Sequence, residues 1–154
     1  MTMRVDEKAV FTGGASFSGA VDLPADTVDD NMLRESRHKK VYAQASGSAS
    51  SDEARVVHVV HGASGTIKSF SVGCAVAPIG DSVVDVDLLK NGVSVLSAAV
   101  QLSASSTAYV VQPGTINTSA VATGDVLEIE IDATAGTGTL PEGVFGSVEV
   151  LENV

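Results

Sequence analysis

The stretch Val83-Val84-Asp85-Val86-Asp87-Leu88-Leu89-Lys90-Asn91-Gly92-Val93-Ser94-Val95-Leu96 decides the fold. Two β-prone runs flank Asn91-Gly92, and this dipeptide favours a type I′ hairpin turn because both central residues of that turn need a positive φ. A turn of two residues also fixes the register of the two strands. The predicted opposite pairs are Lys90 with Val93, Leu88 with Val95, Val86 with Ser97, and Val84 with Ala99.

This hairpin should have one buried and one outward face, because side chains alternate along a strand. The buried face takes the apolar residues Val84, Val86, Leu88 and Val95. The outward face takes Asp85, Asp87, Leu89, Leu96 and Ala98. Two leucines placed diagonally across a hairpin form an apolar patch that a lone subunit would leave in water. We therefore expect Leu89, Leu96 and Ala98 to lie in an oligomer interface or under the N-terminal residues.

The chain from Val41 onward has the period of two that is typical of strands. The predicted strands are Val41–Ala45, Arg55–His61, Thr66–Val76, the hairpin from Val83 to about Leu102, Thr107–Gln112, Val126–Ala133 and Val144–Glu152. Nothing helical lies between them. About eight short antiparallel strands separated by turn signals predict an all-β fold, an antiparallel β-sandwich of jelly-roll-like form.

Residues 1–40 differ in kind from this body of residues 41–154. The segment Gly13–Ala20 is made of small residues with no periodic pattern, and Thr27 could cap a short helix. A basic cluster follows, formed by Arg34, Arg37, His38, Lys39 and Lys40. We expect residues 1–40 to form an extended N-terminal arm that becomes ordered only against a partner. A solvated linker is the alternative for the basic cluster.

Charge and composition exclude several classes of protein. The net charge is −10, and residues 41–154 hold three Lys or Arg against twelve Asp or Glu, which argues against a nucleic-acid partner. No apolar run reaches membrane-spanning length, and Met1–Lys8 lacks the apolar stretch of a signal peptide, so we expect synthesis in the host cytoplasm and no membrane partner. Valine and alanine dominate the apolar residues, which predicts a core of small side chains.

Candidate chemistry is sparse, and each candidate has a structural explanation. His58 and His61 lie three apart on a strand and thus on opposite faces, so they cannot share a metal without a bulge. The stripe Glu128, Glu130 and Asp132 suits a solvated strand face better than a calcium site, and the pair Asp85 and Asp87 lacks a cleft. The single cysteine, Cys74, excludes an internal disulfide and should be a buried, inert thiol. We therefore expect no enzyme, no metal and no cofactor.

A family resemblance rests on a series of turn motifs. These are Gly65-Thr66-Ile67-Lys68-Ser69-Phe70, Asp87-Leu88-Leu89-Lys90-Asn91-Gly92, Ala122-Thr123-Gly124-Asp125-Val126-Leu127-Glu128, and Gly136-Thr137-Gly138-Thr139-Leu140 with Gly143-Val144-Phe145. With them, residues 40–154 resemble the capsid decoration proteins of tailed bacteriophages, also called cement or auxiliary head proteins, some of which are head fibres. The same motifs are shared with other phage fibre and baseplate sandwich domains.

The resemblance implies a β-sandwich or barrel body, commonly assembled as a trimer, with an N-terminal segment that clasps the shell. We accordingly expect a structural virion protein on the capsid surface, a homotrimer bound to the major capsid protein of a phage head. The residues expected to bind the capsid are Phe11, Phe17, Arg34, Arg37, His38, Lys39 and Lys40. The alternative is a receptor- or carbohydrate-binding module of a fibre or baseplate. The shortage of aromatic residues, with Tyr42, Tyr109, four Phe and no Trp, counts against that alternative.

Overall fold

The computed structural model describes residues 35–153, which contain no helix. The expected helix at Thr27 and the expected capsid-binding residues Phe11, Phe17 and Arg34 lie outside this range. Ten strands follow in chain order: β1 (Glu35–Ala43), β2 (Glu53–Val59), β3 (Ser64–Gly73), β4 (Val83–Lys90), β5 (Val93–Ser94), β6 (Val100–Leu102), β7 (Gln112–Pro113), β8 (Ala120–Ala122), β9 (Val126–Thr134) and β10 (Phe145–Asn153).

The strands form two antiparallel sheets. The β3 sheet has the order β1-β10-β3, with β7 and β8 both on the free side of β3. The β4 sheet has the order β2-β9-β4, with β5 and β6 both on the free side of β4. When β5 with β6 and β7 with β8 are each counted as one interrupted strand, the first strand pairs with the eighth, the second with the seventh, the third with the sixth and the fourth with the fifth. This nested pairing is that of a jelly roll and confirms the predicted fold.

Apolar residues from both sheets form one core, which among the described residues includes ten valines and a single aromatic residue, Phe70. The predicted inward set on β9, which is Leu127, Ile129 and Ile131, is fully buried, and so are Val84, Val86 and Leu88 on β4. Each such side chain contributes roughly 1.5–3 kcal/mol by leaving water. The prediction of a core built of small β-branched side chains is confirmed.

The hairpin at Asn91-Gly92 forms as predicted. Both residues have a positive φ, 52° and 78°, and Lys90 lies opposite Val93. The Val95 N–H donates to the Leu88 carbonyl at 2.9 Å, which continues the predicted register by one more pair. Asn91 also fastens the turn to the neighbouring loop, because its Nδ2 donates to Asp125 and its Oδ1 accepts from the Val126 N–H.

Beyond Val95 the predicted register is wrong. Val86 lies opposite Val100 rather than Ser97, and Val84 lies opposite Leu102 rather than Ala99. The cause is a long-range pairing, in which Leu96 forms a bridge with Ile116 and the Ser97 N–H donates to the Thr115 carbonyl. The segment between β5 and β6 thus leaves the hairpin, an excursion that places Leu96 in the core, where it is 5% exposed. Its predicted outward position is therefore also wrong.

The predicted boundary between arm and body is wrong as well. Strand β1 begins at Glu35, so Arg37, His38, Lys39 and Lys40 belong to the sheet and not to an arm of residues 1–40. The apolar period of two is missing from this strand because its half-buried inward positions also carry polar side chains, Ser36, His38 and Lys40. The predicted strand Thr107–Gln112 is replaced by turns up to Val111, and the short strand β8 was not predicted.

Candidate functional site

An exposed apolar surface lies at the end of the sandwich where β3 finishes. It is formed by the loop after β3 and the loop before β7, and we call it the apolar tip; its residues are Val76, Ile79, Tyr109, Val110 and Val111. Tyr109 is 78% exposed and Ile79 is 63% exposed, and the three valines are about half exposed. Clustered exposed apolar residues of this kind mark contact surfaces, whereas single ones are ordinary.

Backbone hydrogen bonds hold the loops of the apolar tip together. The Tyr109 N–H donates to the Cys74 carbonyl at 2.8 Å, and Val76 pairs with Glu142. Ile79 exchanges two hydrogen bonds with Thr139, both of 2.9 Å. These bonds join the two loops of the tip to each other and to the loop between β9 and β10.

Tyr109 adopts a positive φ of 60°, which is uncommon for an aromatic residue. Conformations of this kind cost of order 1–3 kcal/mol and cluster at functional sites. The outcome here is a projecting phenol ring with aliphatic neighbours. Such a group can pack against an apolar or sugar surface and donate a hydrogen bond at its rim.

A second feature is the histidine–glutamate cluster of His38, His58 and Glu152, which lies where the edge strands β1 and β2 meet. Glu152 is 2% exposed, and its Oε1 contacts His58 Nε2. Its Oε2 accepts the backbone N–H groups of His61 at 3.0 Å and Gly62 at 2.6 Å. The His38 and His58 rings lie 5.0 Å apart. The cluster therefore joins the two sheets and the loop between β2 and β3.

The electrostatics of Glu152 follow from these contacts. Burial acts to raise its pKa, but the N–H of Gly62, the His58 ring and the N–H of His61 together outweigh burial, so the pKa lies below its ordinary value of 4.5. The carboxylate is thus held ionised by donors around it. This arrangement stabilises the fold, and we assign it no catalytic role.

The structure places the two strand histidines apart. The β2 strand carries a bulge between Val56 and His58, and His58 is buried whereas the His61 side chain is exposed. Within residues 35–153 no group of three or more His, Cys, Asp or Glu side chains is arranged to hold a metal ion. Cys74 is buried as predicted, and desolvation raises the pKa of its thiol.

The outer faces of the two sheets differ in charge. The outer face of the β4 sheet, here called the acidic face, carries Asp85, Asp87, Glu128, Glu130 and Asp132. On the outer face of the β3 sheet, Arg37 and Lys39 both lie near Glu149, at 3.0 Å and 3.7 Å. We call Arg37, Lys39 and Val41 the basic strip, because these alternate residues of β1 point outward.

The predicted site residues therefore fall in different places. Arg37 and Lys39 lie in the basic strip, while His38 and Lys40 are half-buried on the opposite side of β1. Leu89 is half-buried at the acidic face, and Ala98 is exposed on the excursion between β5 and β6. The apolar tip was missed, because Tyr109 was assigned to a strand and a Pro-Ile-Gly turn gives no signal of exposure.

No protein-family profile matches the chain. A search of curated proteins finds no significant similarity. No helix in residues 35–153 is long and apolar enough to cross a membrane.

Proposed function

We propose that this chain is a structural virion protein that binds the outside of a tailed-phage capsid and stabilises it. The turn motifs of residues 40–154 support the proposal through their resemblance to capsid decoration proteins. The jelly-roll topology supports it too, since that fold recurs in viral capsid domains. A fold hosts many functions, so the argument turns on how the body could be attached.

The observation that carries the proposal is the way β1 is built into its sheet. All nine residues of β1 pair with β10, and Glu149 on β10 receives both Arg37 and Lys39. β1 directly follows residues 1–34 in the chain. A force applied to Glu35 along the direction of β1 would shear β1 against β10. The hydrogen bonds between the two strands would then resist the force together. Such an attachment suits a body tethered to a shell.

Residues 1–34 would supply the contacts with the major capsid protein. Phe11 and Phe17 offer apolar side chains that gain from burial, and Arg34 adds a positive charge. A trimer would present three such segments, so modest individual contacts would sum to firm attachment through multivalency. This explains how a small protein could reinforce a shell without any single tight contact.

Co-sedimentation with undecorated capsids tests the proposal. The purified full-length chain should pellet with capsids, saturate at a fixed number of copies per capsid, and raise the temperature at which the capsids break open. An unrelated acidic β-sandwich protein of similar size is the control for trapping in the pellet. Absence of capsid binding at every protein concentration tested would overturn the proposal.

A receptor- or carbohydrate-binding role in a fibre or baseplate is the second candidate, and one observation favours it. The Tyr109 ring is exposed at the apolar tip, on a loop whose backbone is hydrogen-bonded to Cys74, as an aromatic platform for a sugar ring would be. β3 runs ten residues, roughly 30 Å, from the end where β1 starts to the end that bears the tip. A body tethered through β1 would thus present the tip away from the shell.

Glycan binding by the full-length chain separates the two candidates. If the protein is a receptor-binding module, it binds host-surface glycans, and Tyr109→Ala abolishes that binding while leaving the melting temperature unchanged. Ile79→Ala is the matched control, since it removes another exposed side chain of the tip without removing a ring. Capsid binding without glycan binding favours the decoration role.

A further inference from the structure

The acidic face has an unusual arrangement of charge. Asp85 lies directly opposite Asp132, and Asp87 lies directly opposite Glu130, across the β4–β9 ladder. Like charges in directly opposite positions destabilise a sheet. The short polar contacts on this face come from neutral groups, with Gln101 donating to Asp85 at 3.0 Å and Ser94 donating to Asp87 at 2.8 Å.

The described part of the chain does not neutralise this face. Its Lys and Arg ion pairs go to other carboxylates, which are Glu149, Glu53 and Asp125. The acidic face therefore keeps five carboxylates on the same surface of two neighbouring strands, β4 and β9. A positively charged surface that covered them would remove both the repulsion and the exposed apolar area of Leu89 beside them.

The basic strip has the complementary character. Arg37 and Lys39 are 60% and 69% exposed and share the single carboxylate of Glu149, so the strip keeps a net positive charge. Lys68, exposed on β3 near Glu149, adds to it. Val41 is 66% exposed at the end of the strip, just as Val56 is 57% exposed beside Glu128 at the acidic face. Each surface thus combines charges of one sign with an exposed valine.

We propose that the acidic face of one copy of this chain docks on the basic strip of a second copy. The two surfaces are on the outer sides of different sheets, so one copy cannot satisfy its own charges. The contact is therefore head-to-tail, the type that closes into rings or continues as chains. Complementary charge would fix its orientation and speed the encounter. The inference does not depend on whether the protein binds a capsid.

Charge reversal on the full-length chain tests the contact, with mass measured by light scattering and by sedimentation velocity. Glu130→Lys should weaken self-association roughly tenfold at low salt, and so should Arg37→Glu with Lys39→Glu. Glu142→Lys is the matched control, since it makes the same change of charge at the opposite end of the sandwich from the β1 start, off both surfaces, and should leave the mass unchanged. Circular dichroism checks that each variant is folded.

The combined variant gives the sharpest result. A chain carrying Arg37→Glu, Lys39→Glu, Asp87→Lys and Glu130→Lys has both surfaces reversed and should regain association that each half alone has lost. A monomeric wild-type chain at all concentrations overturns the inference, and so does an unchanged mass in the Glu130→Lys variant. If reversal of Arg37 and Lys39 lowers capsid binding but leaves the mass unchanged, the basic strip serves the capsid, which overturns this contact and leaves the proposed function standing.

Discussion

Glu152 on β10 and His58 on β2 form a buried side-chain contact that joins the two sheets of the sandwich. β2 is an edge strand and β10 is the neighbour of the edge strand β1, so the contact lies where the edges of the two sheets meet. The backbone N–H groups of His61 and Gly62 donate to the other oxygen of the carboxylate, Oε2. The contact therefore acts as a clamp between the two sheets.

Removal of this clamp should destabilise the body. Glu152→Ala leaves the buried His58 side chain and two part-buried backbone N–H groups without their acceptor, a loss of about 3 kcal/mol. For a domain of this size we expect the melting temperature to fall by about 10 °C. Glu149→Ala on the same strand is the control, because its ion pairs are exposed and should contribute less than about 1 kcal/mol. Equal melting temperatures for the two variants would contradict the clamp.

The pH dependence of stability has a definite sign at Glu152. Its pKa in the folded chain lies below the ordinary value of 4.5, so its ionised form stabilises the fold fully above that value. The contribution is lost as pH falls through the folded-state pKa. Urea unfolding of the wild type and of Glu152→Gln should therefore show a free-energy gap that narrows as the pH falls below 4.5. A gap that stays constant at pH 3 would refute this assignment.

Gly92 should tolerate only residues that accept a positive φ. A Cβ added there meets no atom within 4 Å, so the effect of a substitution is conformational and not steric. Gly92→Val should cost about 1–2 kcal/mol, whereas Gly92→Asn should cost a few tenths, because Asn enters the left-handed region readily. Denaturant midpoints with unchanged slopes measure both. If both variants lose the same stability, the turn is not of the predicted type.

Most of the fold could be predicted from local pattern, and the errors have one cause. Asn91-Gly92 fixes its own turn, and the alternation on β9 fixes which side chains face the core. The Leu96–Ile116 bridge joins residues distant in sequence, and no local signal announces it. The same holds for β1, whose inward residues Ser36, His38 and Lys40 are polar, so its sequence gives no alternating apolar pattern and its pairing with β10 is what reveals it as a strand. The apolar tip is likewise made by two loops that are distant in sequence and meet only in the folded chain.

The corrected position of Leu96 reverses what its substitution should do. Leu96→Ala should cost about 2–5 kcal/mol, because it opens a cavity in the core beside the Ile116 bridge. Leu89→Ala should lower the stability of the isolated body by less, since Leu89 is only half-buried. If the acidic face is an interface, the same substitution should lower the mass of the assembly. Thermal melting and light scattering on both variants separate the roles. A larger loss of stability for Leu89→Ala would contradict the observed burial.

Removal of residues 1–25 should separate the fold from the proposed attachment. Strand β1 starts at Glu35 and keeps all nine of its partners on β10 in the shortened chain, so the circular dichroism spectrum and melting temperature should stay those of the full-length protein. Binding to undecorated capsids should fall sharply, because Phe11 and Phe17 are then missing.

The double variant Phe11→Ser with Phe17→Ser, which keeps the chain length, should reproduce much of that loss, while Thr2→Ala with Ser16→Ala is the control and should bind normally. Since the acidic face and the basic strip both remain in the shortened chain, the number of copies in the assembly should be unchanged. A shortened chain that still decorates capsids at full occupancy would move the binding surface onto the sandwich, where the apolar tip is the first place to look.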